Sequence, residues 1–349
     1  MRRGLTVAAV AALALLSACA TPEPEPTPAP PPPPPPPPAV SLNQDVAQAA
    51  SIYVAFMREA GSIQAGFSSA EAIQAALRKG AAYEPAQLSR GLIAYGSILA
   101  LQSPEFVEGV RTFAADPEQR RTVINRIIAD PAYAATLPGA DAAAGLIATT
   151  IGADSAAMYA IAEAVEGDAY TIQERNDPRR RWAVTHIPNR ENRLEGAKTL
   201  SAARMLPSAE DSNRLFAAAN SGSGLHASGG RLPPPFTPAM VNSLAIAALA
   251  ALGAGGDDYR ANTEALTVES NSEFCLNMSK LMLFQCLAAS RPSYEDMFCV
   301  GRHVARDLSQ CTAQALAPAG ATPVSLAATP PIAADAAVAS QNAVQSGPN

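Results

Sequence analysis

The sequence predicts an all-α fold, an irregular multi-helix bundle, on three observations. Hydrophobic residues make up 48% of the 349 and charged residues 16%, so there is a core to bury and far less charge than the usual ~25%. Aromatics are only 5%, with one Trp, which leaves Ala, Leu, Ile and Val to fill that core. From Ser41 onward apolar residues recur at helical spacing, and no stretch alternates as a strand. The formal charge of −6 excludes a broadly basic nucleic-acid surface. At ~150 residues per domain, the length suits one large or two ordinary domains.

The chain starts with Met1, Arg2 and Arg3, followed by an apolar stretch over residues 5–16. A bilayer span needs roughly 20 residues, so this reads as a signal peptide. It ends in Leu16-Ser17-Ala18-Cys19, which resembles the lipobox of bacterial lipoproteins. The resemblance covers residues 1–19. It implies that Cys19 takes a diacylglyceryl group on sulfur and, after loss of residues 1–18, becomes an acylated N-terminus carrying palmitate-type chains. Residue 20 is Ala and not Asp; by resemblance to Gram-negative lipoproteins, this implies sorting to the outer membrane, facing the periplasm. Several acyl chains at ~0.8 kcal/mol per CH₂ make a firm anchor. Loss of Arg2 and Arg3 leaves a mature charge of −8 where the full chain has −6, so the lipid and not electrostatics must hold the body.

Residues 19–40 form a lipidated, proline-rich spacer, with 13 of the 31 prolines falling within residues 22–38. Such a run favours polyproline II. Its 17 residues would span roughly 50 Å at ~3.1 Å each, lifting the body off the membrane.

The first helical region is assigned to residues 41–219. Val46, Ala50, Tyr53 and Met57 form one stripe after a Ser41 cap, and Leu88, Leu92, Tyr95 and Leu99 form another. Ser103-Pro104, Asp116-Pro117 and Asp130-Pro131 each pair an N-cap acceptor with Pro at the first helical position and predict three short helices. Ile147, Ile151, Met158, Ile161 and Val165 mark one helix or two, with a break expected at Gly152-Ala153-Asp154; Leu194, Ala197, Ser201 and Met205 mark another. Residues 220–236 read as a flexible Gly/Pro-rich loop. Beyond it lies a C-terminal helical part, 237–317, in which residues 240–252 are apolar all round and predict a buried core helix. The tail 318–349 carries one charge, Asp335, and is expected to be disordered.

Cys275, Cys286, Cys299 and Cys311 are an even set, which in an oxidising compartment reads as two disulfides. Residues 272–289 and 293–315 look helical around a Ser290-Arg291-Pro292 turn. Facing residues of an antiparallel hairpin have nearly constant index sums, and 275 with 311 gives 586 while 286 with 299 gives 585. Linking Cys275 to Cys286 would need to close ~16 Å along one helix, against ~7 Å for bridged Cα atoms. The prediction is a nested pair, Cys275–Cys311 outside and Cys286–Cys299 inside. A four-cysteine zinc site is the competing reading, but it would want close pairs such as C-x₂-C, and none occurs.

No catalytic, cofactor-binding or metal-binding residue stands out. His186, His226 and His303 are far apart, and His303 lies one helical turn before Asp307. There is no Walker loop, G-x-S-x-G or H-E-x-x-H. The one candidate binding patch is Arg179, Arg180, Arg181 and Trp182, with Arg175, Arg190 and Arg193 nearby; it could meet an anionic envelope polymer, lipid A phosphate or an acidic partner. The acids Glu174, Asp177, Glu191 and Glu195 share the region and could neutralise it. The expectation is a membrane-anchored, non-enzymatic binding or scaffold module for an envelope protein or peptidoglycan. The alternative is a periplasmic hydrolase with an unfamiliar site.

Overall fold

The computed structural model describes residues 38–174 and 178–316. The signal segment, Cys19, the proline run before Pro38, Arg175 and the tail lie outside them, as do the expectations about those segments.

The described residues form fourteen α-helices, with no strand and only two isolated bridges, Leu42 with Gly255 and His186 with Pro292. In order they are α1 (Gln44–Ala60), α2 (Ala70–Ala81), α3 (Pro85–Ala100), α4 (Pro104–Phe113), α5 (Pro117–Ala129), α6 (Ala140–Glu174), α7 (Arg181–Val184), α8 (Arg190–Ala202), α9 (Ala209–Ser221), α10 (Pro238–Ala251), α11 (Arg260–Leu266), α12 (Ser270–Ala289), α13 (Ser293–Val300) and α14 (Asp307–Leu316). A π-helical turn, Gly301–Arg306, joins α13 to α14.

The starts obey capping chemistry. Ser103 and Asp116 accept from backbone N–H groups of the first turns of α4 and α5, with Pro at the first position of each. Asp130 caps as expected, but the helix it opens is a 3₁₀ helix, Pro131–Thr136. The cap of α1 is Asn43 and not Ser41: the Asn43 Oδ1 accepts from the Val46 N–H at 3.2 Å, while Ser41 N–H is spent on the Ala250 carbonyl.

The expected break at Gly152-Ala153-Asp154 is absent, and α6 runs unbroken for 35 residues. A glycine inside a helix costs only about 1 kcal/mol, and α6 is held against α13, the π turn and α14 along its length. Its best window, of mean hydropathy 1.2, is long and apolar enough to cross a membrane. The helix nevertheless carries Glu163, Glu166 and Asp168, all bonded to arginines of other elements. Met205 lies beyond α8, which ends at Ala202.

The core is alanine- and leucine-rich. Helix α10 is its axis: Met240, Leu244, Ile246, Leu249 and the alanines between them are all buried. It packs on α3, which in turn packs on α1, so the helices on either side of residues 220–236 share one hydrophobic interior. That loop is not a free linker. Leu232 N–H donates to the Asp141 carbonyl at 3.0 Å, and Arg231 pairs with Asp141 at 2.8 Å and with Glu105. The loop backbone lies so close to α6 that a methyl on Gly145 would collide with the Gly230 carbonyl oxygen.

Candidate functional site

The C-terminal hairpin carries the richest chemistry. Helix α12 lies beside α13 and α14, cross-linked to α14 by Cys275–Cys311 and, nearer the turn, to α13 by Cys286–Cys299, with Cα atoms 5.6 and 5.7 Å apart. This is the nested pairing that the index sums predict. Pro292 sits at the N-cap of α13. The bridges are eleven residues apart on α12 and twelve on the opposing strand. The π turn between Cys299 and Cys311 absorbs the surplus residue, since i→i+5 bonding puts an extra residue into one turn. Gly301 opens that turn against α6, where a side chain would meet the Glu166 backbone nitrogen and Cγ at 3.0 and 2.8 Å.

Past the outer bridge, along one face, runs an open groove of about 390 Å³, lined among others by Phe274, Met278, Met282, Asp307, Gln310 and Gln314. Phe274 is 66% exposed and Leu281, on the same helix, 45%. Groups this apolar are usually covered when a monomer gathers them on one face. Uncharged Asn277 and Gln285 are the polar residues of this exposed strip.

Ser279, His303 and Asp307 meet at the inner end of the groove. The His303 Nδ1 and Asp307 Oδ2 are 3.2 Å apart. A serine–histidine–aspartate relay is not assembled, because the Ser279 hydroxyl donates to the backbone carbonyl of His303, at 3.2 Å, and lies 3.3 Å from the Tyr83 hydroxyl. Burial pushes the Tyr83 phenol up, further from ionising at neutral pH.

Lys280 turns inward beside them. It is 5% exposed, donates to the Ala81 carbonyl at 2.6 Å and sits 3.4 Å from the Tyr83 ring centre. Among the described residues no carboxylate pairs with it. Burial pushes the amine well below the ordinary lysine range. The ring favours the charged form by only about 2 kcal/mol, less than the several kcal/mol that desolvating an ammonium costs, so burial wins. Between the lowered pKa and the unfolded value near 10.4, the unfolded chain binds more protons, so stability should rise with pH across that window and fall as pH drops through it. Lys280→Met should flatten this slope, and the Ala81 carbonyl keeps the Ser201 hydroxyl as donor. Urea unfolding at a series of pH values tests this; equal slopes in both proteins would refute it.

Among the described side chains of the arginine-rich segment, three arginines are engaged with other parts of the fold. Arg180 pairs with Asp168. Arg190 donates to the Ser290 and Ala288 carbonyls, both at 2.7 Å. Arg193 binds the Leu287 carbonyl, Ser290 Oγ and Asp296. Two of the arginines thus cap the C-terminal end of α12, where the helix dipole is negative. Arg181 is exposed, and Trp182 leans on the core. Of Arg179, only its backbone place in the 3₁₀ turn Pro178–Arg180 is described. Exposed His226 takes left-handed φ of 49° in the loop, and exposed His186 lies beside Pro292. Among the described residues, no three His, Cys, Asp or Glu side chains are grouped to hold a metal.

The groove's composition was readable in sequence, since Phe274, Met278, Leu281 and Gln285 keep helical spacing. Their exposure was not, because an apolar stripe reads the same whether it is covered or bare. No family model, curated protein or solved structure matches the chain.

Proposed function

We propose that this chain is a lipid-anchored envelope protein, held through Cys19 at the periplasmic face of the outer membrane, whose helical body binds a protein partner without catalysing a reaction. The observation that carries this reading is the open groove beside α12 with Phe274 in its wall and Leu281 exposed on the same helix. From Phe274 to Gln285 the strip covers about 16 Å of helix, three turns, which suits the apolar face of a partner helix laid alongside it. Flexible thioethers such as Met278 and Met282 adapt to an incoming surface.

A photo-crosslinking residue at position 281, used in intact cells, tests the reading. One protein should be captured reproducibly, and Phe274→Glu should lose at least ten-fold of the product while the body stays folded. Capture indifferent to Phe274→Glu, or no capture together with turnover of peptidoglycan by the purified chain, would overturn it in favour of a hydrolase. Separately, Cys19→Ser should release the body from the membrane fraction; retention there would reject the anchor.

A further inference from the structure

We infer that the inner end of the hairpin groove is a soft-metal site, in which Met278, Met282 and His303 bind one monovalent copper ion and Asp307 positions the imidazole. The two disulfides fix the register of the helices at either end of this stretch. Level residues between them have index sums of 585, as Cys286 and Cys299 do. On that count Met282 stands level with His303; past the π turn the sum is 586, as for Cys275 and Cys311, and Asp307 stands level with Ser279, next to Met278. On α12 the groove wall is Asn271, Phe274, Met278 and Met282; opposite them it is Asp307, Gln310 and Gln314, and the His303 ring, one turn before Asp307, is held by that carboxylate.

The donor set has a definite chemical preference. Methionines four apart on a helix are neighbours, and thioether sulfur with imidazole nitrogen favours soft Cu(I) over hard cations, whereas zinc sites draw on thiolate, imidazole and carboxylate. The His303 Nδ1 lies 3.2 Å from the Asp307 carboxylate, and both side chains are about one-fifth exposed. A carboxylate holding the Nδ1–H fixes the tautomer and leaves the Nε2 lone pair for a metal, which is how metal-bound histidines are ordinarily supported. No other hydrogen bond to the His303 ring is present among the described residues. The backbone contributes too: His303 stands within the π turn, and such turns occur frequently at functional sites. Binding requires no redox step and consumes no disulfide.

The ion and the docked protein share a groove but not a requirement for each other, so the two are tested apart. The full chain carrying Cys19→Ser, which removes the free thiol and keeps both bridges, is titrated with Ag(I) as a redox-inert stand-in, and the methionine methyl resonances are followed. One equivalent should bind, shifting Met278 and Met282 and no other methionine. Met278→Leu and Met282→Leu, which keep the apolar volume, should each weaken binding at least ten-fold, as should His303→Gln. Asp307→Asn should weaken it by 10- to 100-fold, the usual cost of losing an outer-shell partner. Leu206→Ala, at an exposed position between α8 and α9, should leave it unchanged. No uptake by the Cys19→Ser chain, or undiminished uptake by a Met278→Leu/Met282→Leu double variant, would overturn the site.

Discussion

Arg193→Ala is expected to destabilise the folded chain by about 3–5 kcal/mol, the cost of breaking a buried ion pair from one side. Its partner Asp296 is 0% exposed and would keep only the Ser290 hydroxyl at 2.6 Å and the Gln74 amide at 2.8 Å. The Leu287 carbonyl would lose the arginine donor as well. A second substitution separates charge burial from lost packing: Arg193→Met with Asp296→Leu should recover much of the loss, since apolar replacements of buried pairs are often neutral. Urea unfolding measures both. A single variant within about 0.5 kcal/mol of the parent, the ordinary range for surface changes, would show that Arg193 carries no such role.

The second large effect belongs to the outer bridge. Cys275–Cys311 closes 36 residues and Cys286–Cys299 closes 13. Loop-closure entropy then gives about 4 kcal/mol for the outer bridge and about 3 for the inner. Replacing each pair by alanines should reproduce that order, the outer pair costing about 1 kcal/mol more. The reverse order would show that strain or packing, and not chain entropy, sets the balance. Non-reducing peptide mapping of the parent should return only the 275/311 and 286/299 fragments.

What the sequence disclosed and what it hid divide along a physical line. Short-range features were legible: the proline-led starts at Ser103 and Asp116 come from local N–H satisfaction, and the disulfide pairing comes from helix geometry alone. Features that depend on partners far along the chain were not. Arg193 reads as one more charge in a basic run, because Asp296 lies 103 residues away. Lys280 looks like a surface lysine on an amphipathic helix, yet it points at Tyr83 and Ala81. Gly152 invites a break that tertiary packing simply overrides. The groove shows the same limit: its residues are periodic, but no local rule says which stripe stays bare.

The surplus residue in the Gly301–Arg306 turn matters for packing and not for oxidation. Deleting one residue there and winding regularly would leave Cys299 and Cys311 eleven residues apart, the number that separates Cys275 and Cys286 on α12, so both pairs would still meet. Bridge closure is therefore blind to the extra residue; what a shortened helix would disturb is the packing of Gly301 on Glu166 and the placing of Arg306 between Glu163 and Glu166.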